Sequence, residues 1–281
     1  MRHEPCLGSQ TDNKEAEPYV GKGAPCARVS PSNAQVEFSG VRMAFGQRVV
    51  FRDLSCRFPR GRVSVILGGS GSGKSTLLRL IGGLVRAQAG RIVVDGDEIT
   101  HRSERQMYAV RRKLGMMFQD GALLDSLTLF DNLAFPLREH TAMTEPEIAA
   151  AVREALAAVG LAGIEELLPN QLSGGMVKRA SLARAIIMKP VILLCDEPFS
   201  GLDPASVRLI ETLLVDVNHR LQATMLIVSH HIASTMRIAD HVVLLLPDRA
   251  VEGSPAELRR TTDRRVAVFL DEDGAPGGAR A

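Results

Sequence analysis

The stretch Gly68-Gly-Ser-Gly-Ser-Gly-Lys74-Ser75 decides the fold of this chain. An apolar, β-branched run over residues 62–67 precedes it, and residues 76–84 have helical character, so the order is strand, glycine loop, helix. Glycines at such a place let backbone N–H groups turn inward around phosphates, and the positive end of the helix dipole points at them. A glycine-rich turn of no chemical purpose is the alternative, and the flanking strand and helix argue against it.

This glycine loop predicts a site for ATP with Mg²⁺. Lys74 is expected to reach the β- and γ-phosphates, and the hydroxyl of Ser75 is expected to ligate Mg²⁺. The residues expected to contact the nucleotide here are Gly68, Gly69, Ser70, Gly71, Ser72, Gly73, Lys74, Ser75 and Thr76.

Two adjacent carboxylates follow a second apolar run, at residues 191–194. Asp196 is suited to the Mg²⁺ shell, and Glu197 is placed to polarise the attacking water as a general base. A positioned base typically contributes about 10²–10⁴-fold in rate. The alternative is a surface Asp-Glu pair that caps the next helix, and the buried character of the preceding run disfavours it.

His230 ends a further apolar strand, where its imidazole would bond the γ-phosphate. Taken alone, it is at least as well interpreted as a structural histidine at a strand end. Its neighbour His231 would point to the opposite face of an extended chain, so we expect no metal site there. We assign His230 to the catalytic set with Lys74 and Glu197, and expect no catalytic role for His231.

Ser173, Gly174 and Gly175 precede a helical run over residues 177–187. They would present a hydroxyl and free N–H groups at a helix N-terminus, which makes a second anion site. Ser-Gly-Gly is also a common turn, and its position shortly before Asp196 is what favours binding. One γ-phosphate does not readily use two helix N-termini of one small domain. Two copies related by a two-fold axis would each lend this loop to the other, so we expect a homodimer.

Bulk composition excludes several classes of protein. The 281 residues are 45% hydrophobic and 23% charged, which fits one large α/β domain or two small ones. A net charge of +2 and 4% aromatic residues give no footprint for nucleic acid. The four scattered cysteines lack ligand spacing, which fits a reducing cytosol. No apolar run approaches the roughly 20 residues of a membrane-spanning helix.

The chain divides into three predicted parts. Residues 1–34 are mixed polar with Pro and Gly, and we expect a flexible N-terminal extension. Residues 35–253 form the main domain, with short strands at 35–38 and 49–57 near its start. Within it, helices over about residues 120–185 are inserted, including one that begins at the capping box Thr144-x-x-Glu147. Residues 254–281 form a tail that we expect to contact a partner or the second copy.

The ordered motifs resemble those of ATP-binding-cassette (ABC) transporter ATPases over about residues 35–253. The resemblance implies an α/β fold, a RecA-like P-loop NTPase core with an N-terminal antiparallel β subdomain and an inserted helical subdomain. It implies that Gln119 contacts Mg²⁺ and senses a membrane partner, and that Asp203 of Ser200-Gly-Leu-Asp203 lies across the dimer seam. Phe45 occupies the position of an aromatic that stacks on adenine, although a core Phe is nearly as good an interpretation. Arg179 fits the basic position after the Ser-Gly-Gly loop.

Longer stretches are similar to the MlaF-type ATPases of Mla (maintenance of lipid asymmetry) phospholipid transporters. They lie at residues 80–83, 118–123, 130–141, 172–180 and 263–271. Met176 agrees with that subfamily, whereas His231 departs from its usual acidic residue and the N-terminal extension is longer. The resemblance implies phospholipid as cargo, an MlaE-like permease facing residues 120–141, an MlaD-like MCE-domain protein and a small MlaB-like STAS-domain protein. It also implies a peripheral position on the cytoplasmic side of the inner membrane.

Two rival functions remain open at this point. One is the ATPase of an ABC importer for another solute, which the similarity of residues 118–141 and of the tail disfavours. The other is a soluble ABC ATPase in translation or DNA repair. Such proteins carry two cassettes or a long coiled-coil insertion, and neither is visible in this sequence.

Overall fold

The chain folds into two β-sheets, and helices cover the larger one. The computed structural model describes residues 33–272. The expected extension at residues 1–34 therefore lies outside the described residues except for its last two positions, as does the end of the 254–281 tail. Among residues 33–272, no helix is both long and apolar enough to span a bilayer.

The smaller sheet is antiparallel, with strand order β2-β1-β4-β5. Its strands are β1 (Ala34–Phe45), β2 (Arg48–Pro59), β4 (Ala89–Val94) and β5 (Asp97–Glu98). β1 is longer than the strand predicted at residues 35–38. Gly40 interrupts the sequence pattern, but its left-handed backbone (φ 62°) forms an irregularity in the register rather than the strand end.

The larger sheet is parallel except at one edge and has the order β10-β9-β3-β8-β7-β6. Its strands are β3 (Val63–Gly68), β6 (Leu114–Met117), β7 (Ile192–Asp196), β8 (Thr224–Val228), β9 (His241–Leu245) and the antiparallel β10 (Ala250–Gly253). Every residue of β3, β7, β8 and β9 is buried, as expected for parallel strands covered on both faces. The carboxyl ends of β3, β7 and β8 therefore meet at one edge of the sheet.

Nine α-helices lie within the described residues. They are α1 (Lys74–Ile81), α2 (Glu104–Arg111), α3 (Leu129–His140), α4 (Glu145–Ala158), α5 (Gly174–Ile186), α6 (Pro204–Leu221), α7 (Ile232–Ile238), α8 (Pro255–Arg259) and α9 (Arg264–Glu272). The predicted capping box of α4 is present, because the N–H of Thr144 donates to Glu147 Oε2 at 2.7 Å. Gly160, with φ 68°, follows its end.

The expected fold class is confirmed. The chain has an α/β core with a parallel sheet, an N-terminal antiparallel β subdomain, and the helices α3, α4 and α5 inserted between β6 and β7. One hydrophobic cluster joins those helices to the large sheet and α6, and it includes Val266 of α9. A second cluster joins both sheets and α1, which fixes the smaller sheet beside the glycine loop.

Candidate functional site

The glycine loop connects β3 to α1, and Gly68, Gly71 and Gly73 adopt positive φ values that favour glycine. Gly73 stands at the N-cap of α1 with φ 98° and makes no side-chain cap. A Cβ atom on Gly73 would lie 2.6 Å from Val50 Cγ1 and 2.7 Å from Phe51 Cε1. The first N–H groups of α1 thus have no side-chain acceptor and are available to donate to a phosphate.

Lys74 is the first residue of α1 and folds back over the loop. Its Nζ donates to the carbonyl oxygens of Gly68 at 2.7 Å and Gly69 at 3.1 Å. Burial lowers the pKa of Lys74, while the charges of Glu197 and Asp196 oppose that shift. Of the other predicted loop residues, Gly69, Ser70 and Gly71 are exposed, and Ser72, Ser75 and Thr76 are half-buried.

Ser75 and Asp196 bring two oxygen ligands together. The Ser75 hydroxyl donates to Asp196 Oδ1 at 3.0 Å across the gap between α1 and β7. Asp196 is only 8% exposed, and burial raises its pKa, whereas the hydrogen bond from Ser75 lowers it. No group of three or more His, Cys, Asp or Glu residues that would hold a metal occurs within residues 33–272. The hydroxyl of Ser75 and the carboxylate of Asp196 are oxygen donors of the kind that Mg²⁺ takes, one or two from the protein, with phosphates and water completing its shell.

Glu197 and His230 meet at the ends of neighbouring strands. His230 Nδ1 lies 2.8 Å from Glu197 Oε2, and the side chain of Glu197 is 12% exposed against 66% for His230. The backbone of Glu197 has φ 50°, an unusual value for a non-glycine residue, and its N–H donates to the Val228 carbonyl at 2.9 Å. That turn aims the carboxylate back toward the end of β8. The sequence predicts that His230 contacts the γ-phosphate. The structure adds the proximity of His230 to Glu197, the predicted base.

Gln119 lies in the exposed segment that follows β6. Its carbonyl oxygen accepts a hydrogen bond from Lys178 Nζ. Its side chain is not joined to Asp196 or Ser75 by any hydrogen bond within the described residues. Its role as a Mg²⁺ ligand therefore stays a prediction.

The Ser173–Gly175 loop caps α5 and faces outward. The N–H of Met176 donates to Ser173 Oγ at 3.4 Å, and Ser173 and Gly174 are exposed. In the part of the chain that the structure describes, no hydrogen bond or ion pair links this loop to Lys74, Asp196 or Glu197. The sharing of this loop across a dimer remains a prediction.

Asp203 and Phe45, two further predicted site residues, make only local contacts or are exposed. Asp203 is the N-cap of α6, and its Oδ1 accepts from the N–H groups of Ala205 at 2.9 Å and Ser206 at 3.1 Å. The Ser206 hydroxyl lowers the pKa of Asp203 through a hydrogen bond. Phe45 is 46% exposed at the β1–β2 hairpin, so the alternative that it is a core Phe is wrong.

Three further residues have contacts that the sequence did not disclose. Arg179 donates to the carbonyls of Val159 at 3.0 Å and Gly160 at 2.8 Å, so it holds the C-terminus of α4. His231 Nδ1 accepts from the N–H of Ser234 at 3.3 Å and caps α7. Lys178 is a buried cation behind the site. A lysine in a helical run carries no sequence signal for burial, because its partners come from distant segments.

Comparison with known proteins agrees with this geometry. The family model described as ABC transporter matches residues 51–200. The chain is 42% identical over 237 residues to the intermembrane phospholipid transport system ATP-binding protein MlaF of Escherichia coli K12, covering 84% of this chain and 88% of that protein. It is 44% identical over 236 residues to the probable ribonucleotide transport ATP-binding protein mkl of Mycobacterium tuberculosis H37Rv. The chain spans 66% of the length of that mycobacterial relative, which covers 84% of this chain.

Solved structures of similar proteins are ATP-binding cassettes. The cbiO1 protein of Clostridium perfringens, part of the transporter complex cbiONQ, superposes with a TM-score of 0.75 at 28% identity, over 85% of this chain and 95% of that one. The dimeric cassette MJ0796, in a post-hydrolysis state bound to ADP and phosphate, superposes with a TM-score of 0.72 at 28% identity, over 78% and 98%. With its glycine loop, its carboxylate pair and its outward Ser-Gly-Gly helix end, the chain belongs to the ABC transporter family.

Proposed function

We propose that this chain is the ATP-hydrolysing subunit of a membrane transporter that moves phospholipid, and that it works as a dimer. The observation that carries the enzymatic part is the meeting of five side chains at one edge of the parallel sheet. These are Lys74, Ser75, Asp196, Glu197 and His230, joined by the contacts Ser75–Asp196 and Glu197–His230. A phosphate-binding lysine, two oxygen ligands for Mg²⁺ and a candidate base are then in one place, and these are the groups that one chain would contribute to phosphoryl transfer.

Glu197 is the proposed general base. Its carboxylate would accept a proton from the attacking water, since Oε2 is buried, has no hydrogen-bond partner within the described residues and lies 2.8 Å from His230 Nδ1. The positive φ of Glu197 holds the side chain at the end of β8, away from Ser75. Lys74 supplies a cation beside the glycine loop, where N–H groups of α1 also point.

Ser75 and Asp196 are the proposed Mg²⁺ ligands, with Gln119 as a third. Bound Mg²⁺ supplies the positive charge that compensates the phosphate oxygens during transfer. The chain's contribution is to hold Asp196 in a buried position where it accepts a hydrogen bond from the Ser75 hydroxyl. Phe45 and the residues from Gly68 to Thr76 would hold the nucleotide itself, as the sequence predicts.

The dimer completes the site in this proposal. Ser173, Gly174 and Gly175 face outward at the end of α5, and Asp203 lies at the exposed start of α6. Each chain would lend these groups to the other chain's ATP. ATP then favours the closed dimer through contacts that exist only with the γ-phosphate, and hydrolysis removes them.

The proposed cargo is phospholipid. The MlaF relatives support it, since the similarity extends over 88% of the Escherichia coli protein at 42% identity. In this scheme the dimer sits peripherally on the cytoplasmic side of the inner membrane, held by an MlaE-like permease. An MlaD-like MCE-domain protein and a small MlaB-like STAS-domain protein complete the assembly.

A second candidate cargo is a ribonucleotide. The mycobacterial relatives, named for ribonucleotide transport, are 44% identical over 236 residues, although the chain covers only 66% of their length. The extent of matched length favours the phospholipid assignment over this one.

Purification of the full-length chain with its membranes in detergent tests these proposals together. We expect an integral permease and bound phospholipid to co-purify, and ATP hydrolysis to rise when phospholipid is added to the reconstituted complex. Stimulation by ribonucleotides and not by phospholipid would overturn the cargo. A chain that never fractionates with membranes would favour a soluble ABC ATPase, and a chain that hydrolyses no ATP would overturn the enzymatic proposal itself.

A further inference from the structure

Lys178 is a buried cation in the first turns of α5. It is 6% exposed, and its Nζ donates to three oxygens that belong to separate segments of the chain. These acceptors are the carbonyl of Gln119, the carbonyl of Glu197 at 3.0 Å and the hydroxyl of Ser200 at 3.1 Å. An ammonium group has three donors, so every one of them is used.

The placement of this charge has an energetic cost that only its partners offset. Burial lowers the pKa of Lys178, and the charges of Asp120, Glu197 and Asp196 oppose the shift. An unpaired buried cation is strongly destabilising, whereas an apolar side chain of similar size is often neutral. The three acceptors of Lys178 all lie in loops, so its hydrogen bonds fix the positions of those loops relative to one another.

Two other side chains of α5, like Lys178, donate hydrogen bonds to the segment that follows β6. Ser181 Oγ donates to the Gly121 carbonyl at 3.0 Å, and Arg184 donates to the carbonyls of Ala122 at 2.6 Å and Gly121 at 3.0 Å. Positions 178, 181 and 184 recur at the helical spacing of one face. Among these three, only Lys178 also holds the segment that carries Glu197 and Ser200.

The segment that Lys178 holds is conformationally unusual. Glu197 has φ 50°, and its carbonyl also accepts from the Ser200 hydroxyl at 3.0 Å. Such a backbone persists only where surrounding contacts over-determine it. This carbonyl accepts hydrogen bonds from Lys178 Nζ, from Ser200 Oγ and from the Ser200 N–H, and these are contacts of that kind.

We propose that Lys178 is a positioning residue for ATP hydrolysis. It fixes the main chain of Glu197 relative to Gln119 and Ser200. Lys178 lies on α5, and the first residues of α5 would bind the ATP of the other chain. The position of α5 is therefore coupled to the position of Glu197 in the same chain. This inference rests on the proposed ATPase function.

Steady-state ATP hydrolysis by the full-length chain tests the assignment with Lys178→Met. We expect kcat to fall at least about ten-fold, since a misplacement of about 1 Å in a catalytic group costs on the order of 10²-fold. The KM for ATP should stay within two-fold, because Lys178 is hydrogen-bonded to no residue of the glycine loop and reaches Gln119 only through its main-chain carbonyl. Lys178→Arg keeps a cation with several donors and should recover most of the lost kcat.

Lys189→Met is the matched control. Lys189 is exposed beyond the end of α5, so this variant should hydrolyse ATP like the wild type. A wild-type kcat in Lys178→Met, or an Lys178→Arg variant as slow as Lys178→Met, would overturn the assignment. So would a loss of kcat/KM that comes entirely from a higher KM.

A second variant keeps the test decisive if Lys178→Met does not fold. Lys178→Gln donates two hydrogen bonds where the ammonium donates three, and we expect a smaller fall in kcat with KM unchanged. A wild-type kcat in Lys178→Gln would then overturn the assignment. Failure of the wild-type chain to hydrolyse ATP is a different outcome, because it overturns the proposed function and not the position of Lys178.

Discussion

Replacing Gly73 by Ala tests whether the glycine loop is shaped by contact as well as by backbone preference. Gly73 has φ 98°, where an L side chain is strained by about 1–3 kcal/mol. Its new methyl group would also lie 2.6 Å from Val50 Cγ1 and 2.7 Å from Phe51 Cε1 and Cζ. Overpacking of a tight site costs about 1–3 kcal/mol more. The expected loss in the free energy of unfolding is therefore about 2–6 kcal/mol, which includes both terms.

Gly96→Ala separates the two contributions. Gly96 has φ 80° in the turn between β4 and β5, and nothing lies within 4 Å of a Cβ atom placed there. Only the backbone term should apply, so we expect a loss of about 1–2 kcal/mol. At about 2–4 °C for each kcal/mol in a domain of this size, the two variants should differ clearly in thermal unfolding.

Thermal unfolding with and without Mg-ATP completes the test. Ligand binding to the folded state raises the unfolding temperature, and we expect this rise for the wild type and Gly96→Ala but not for Gly73→Ala. If Gly73→Ala unfolded like Gly96→Ala and kept the rise with ATP, the tight packing of Gly73 against β2 would have no part in nucleotide binding.

Three further predictions concern the base, the shared loop and a buried histidine. Glu197→Gln should bind ATP, lose at least about 10²-fold in kcat and accumulate as an ATP-bound dimer in size-exclusion chromatography; undiminished hydrolysis would remove Glu197 as the base. Ser173→Arg should leave ATP binding to the monomer intact while abolishing turnover, and full-rate hydrolysis by wild-type monomers at high dilution would refute the shared site. Burial lowers the pKa of His241 to about 4, so its neutral state stabilises the fold above the unfolded pKa of about 6.5. Stability should fall by up to about 3 kcal/mol as the pH drops from about 6.5 to about 4, measured by urea unfolding, and His241→Asn should lack this part of the slope.

Local sequence was sufficient to predict the elements whose structure depends on backbone conformation and on neighbouring residues. Gly68, Gly71 and Gly73 supply the positive φ values of the loop, and β7 and β8 are largely apolar runs that are buried throughout. The capping box of α4 is likewise a contact between residues three apart. Such features depend on neighbours in sequence, so they were predicted from the residues alone.

Features that depend on tertiary packing escaped prediction. β6 has only four residues and no β-branched side chain, and it exists because its backbone pairs with β7. The Ala185 carbonyl oxygen packs closely against Gly115 in that strand. A Cβ atom at position 115 would lie 2.1 Å from that oxygen. α3 lies in the segment predicted to be helical, and it runs from Leu129 to His140 although it contains Pro136. β6, in contrast, has no local signature.

Lys74, which is half-buried, and Lys178, which is buried, show how the site keeps its carboxylates available for chemistry. Lys74 approaches from α1 and Lys178 from α5, and the charges of Asp196 and Glu197 act on the pKa of both. Each ammonium nevertheless donates to main-chain carbonyls, and in the described residues neither is hydrogen-bonded to the carboxylate of Asp196 or Glu197. The two cations thus compensate the negative charge of the acid pair without occupying its oxygens. Asp196 is left to Ser75 and Glu197 to His230, which is the arrangement that a Mg²⁺ ligand and a general base require.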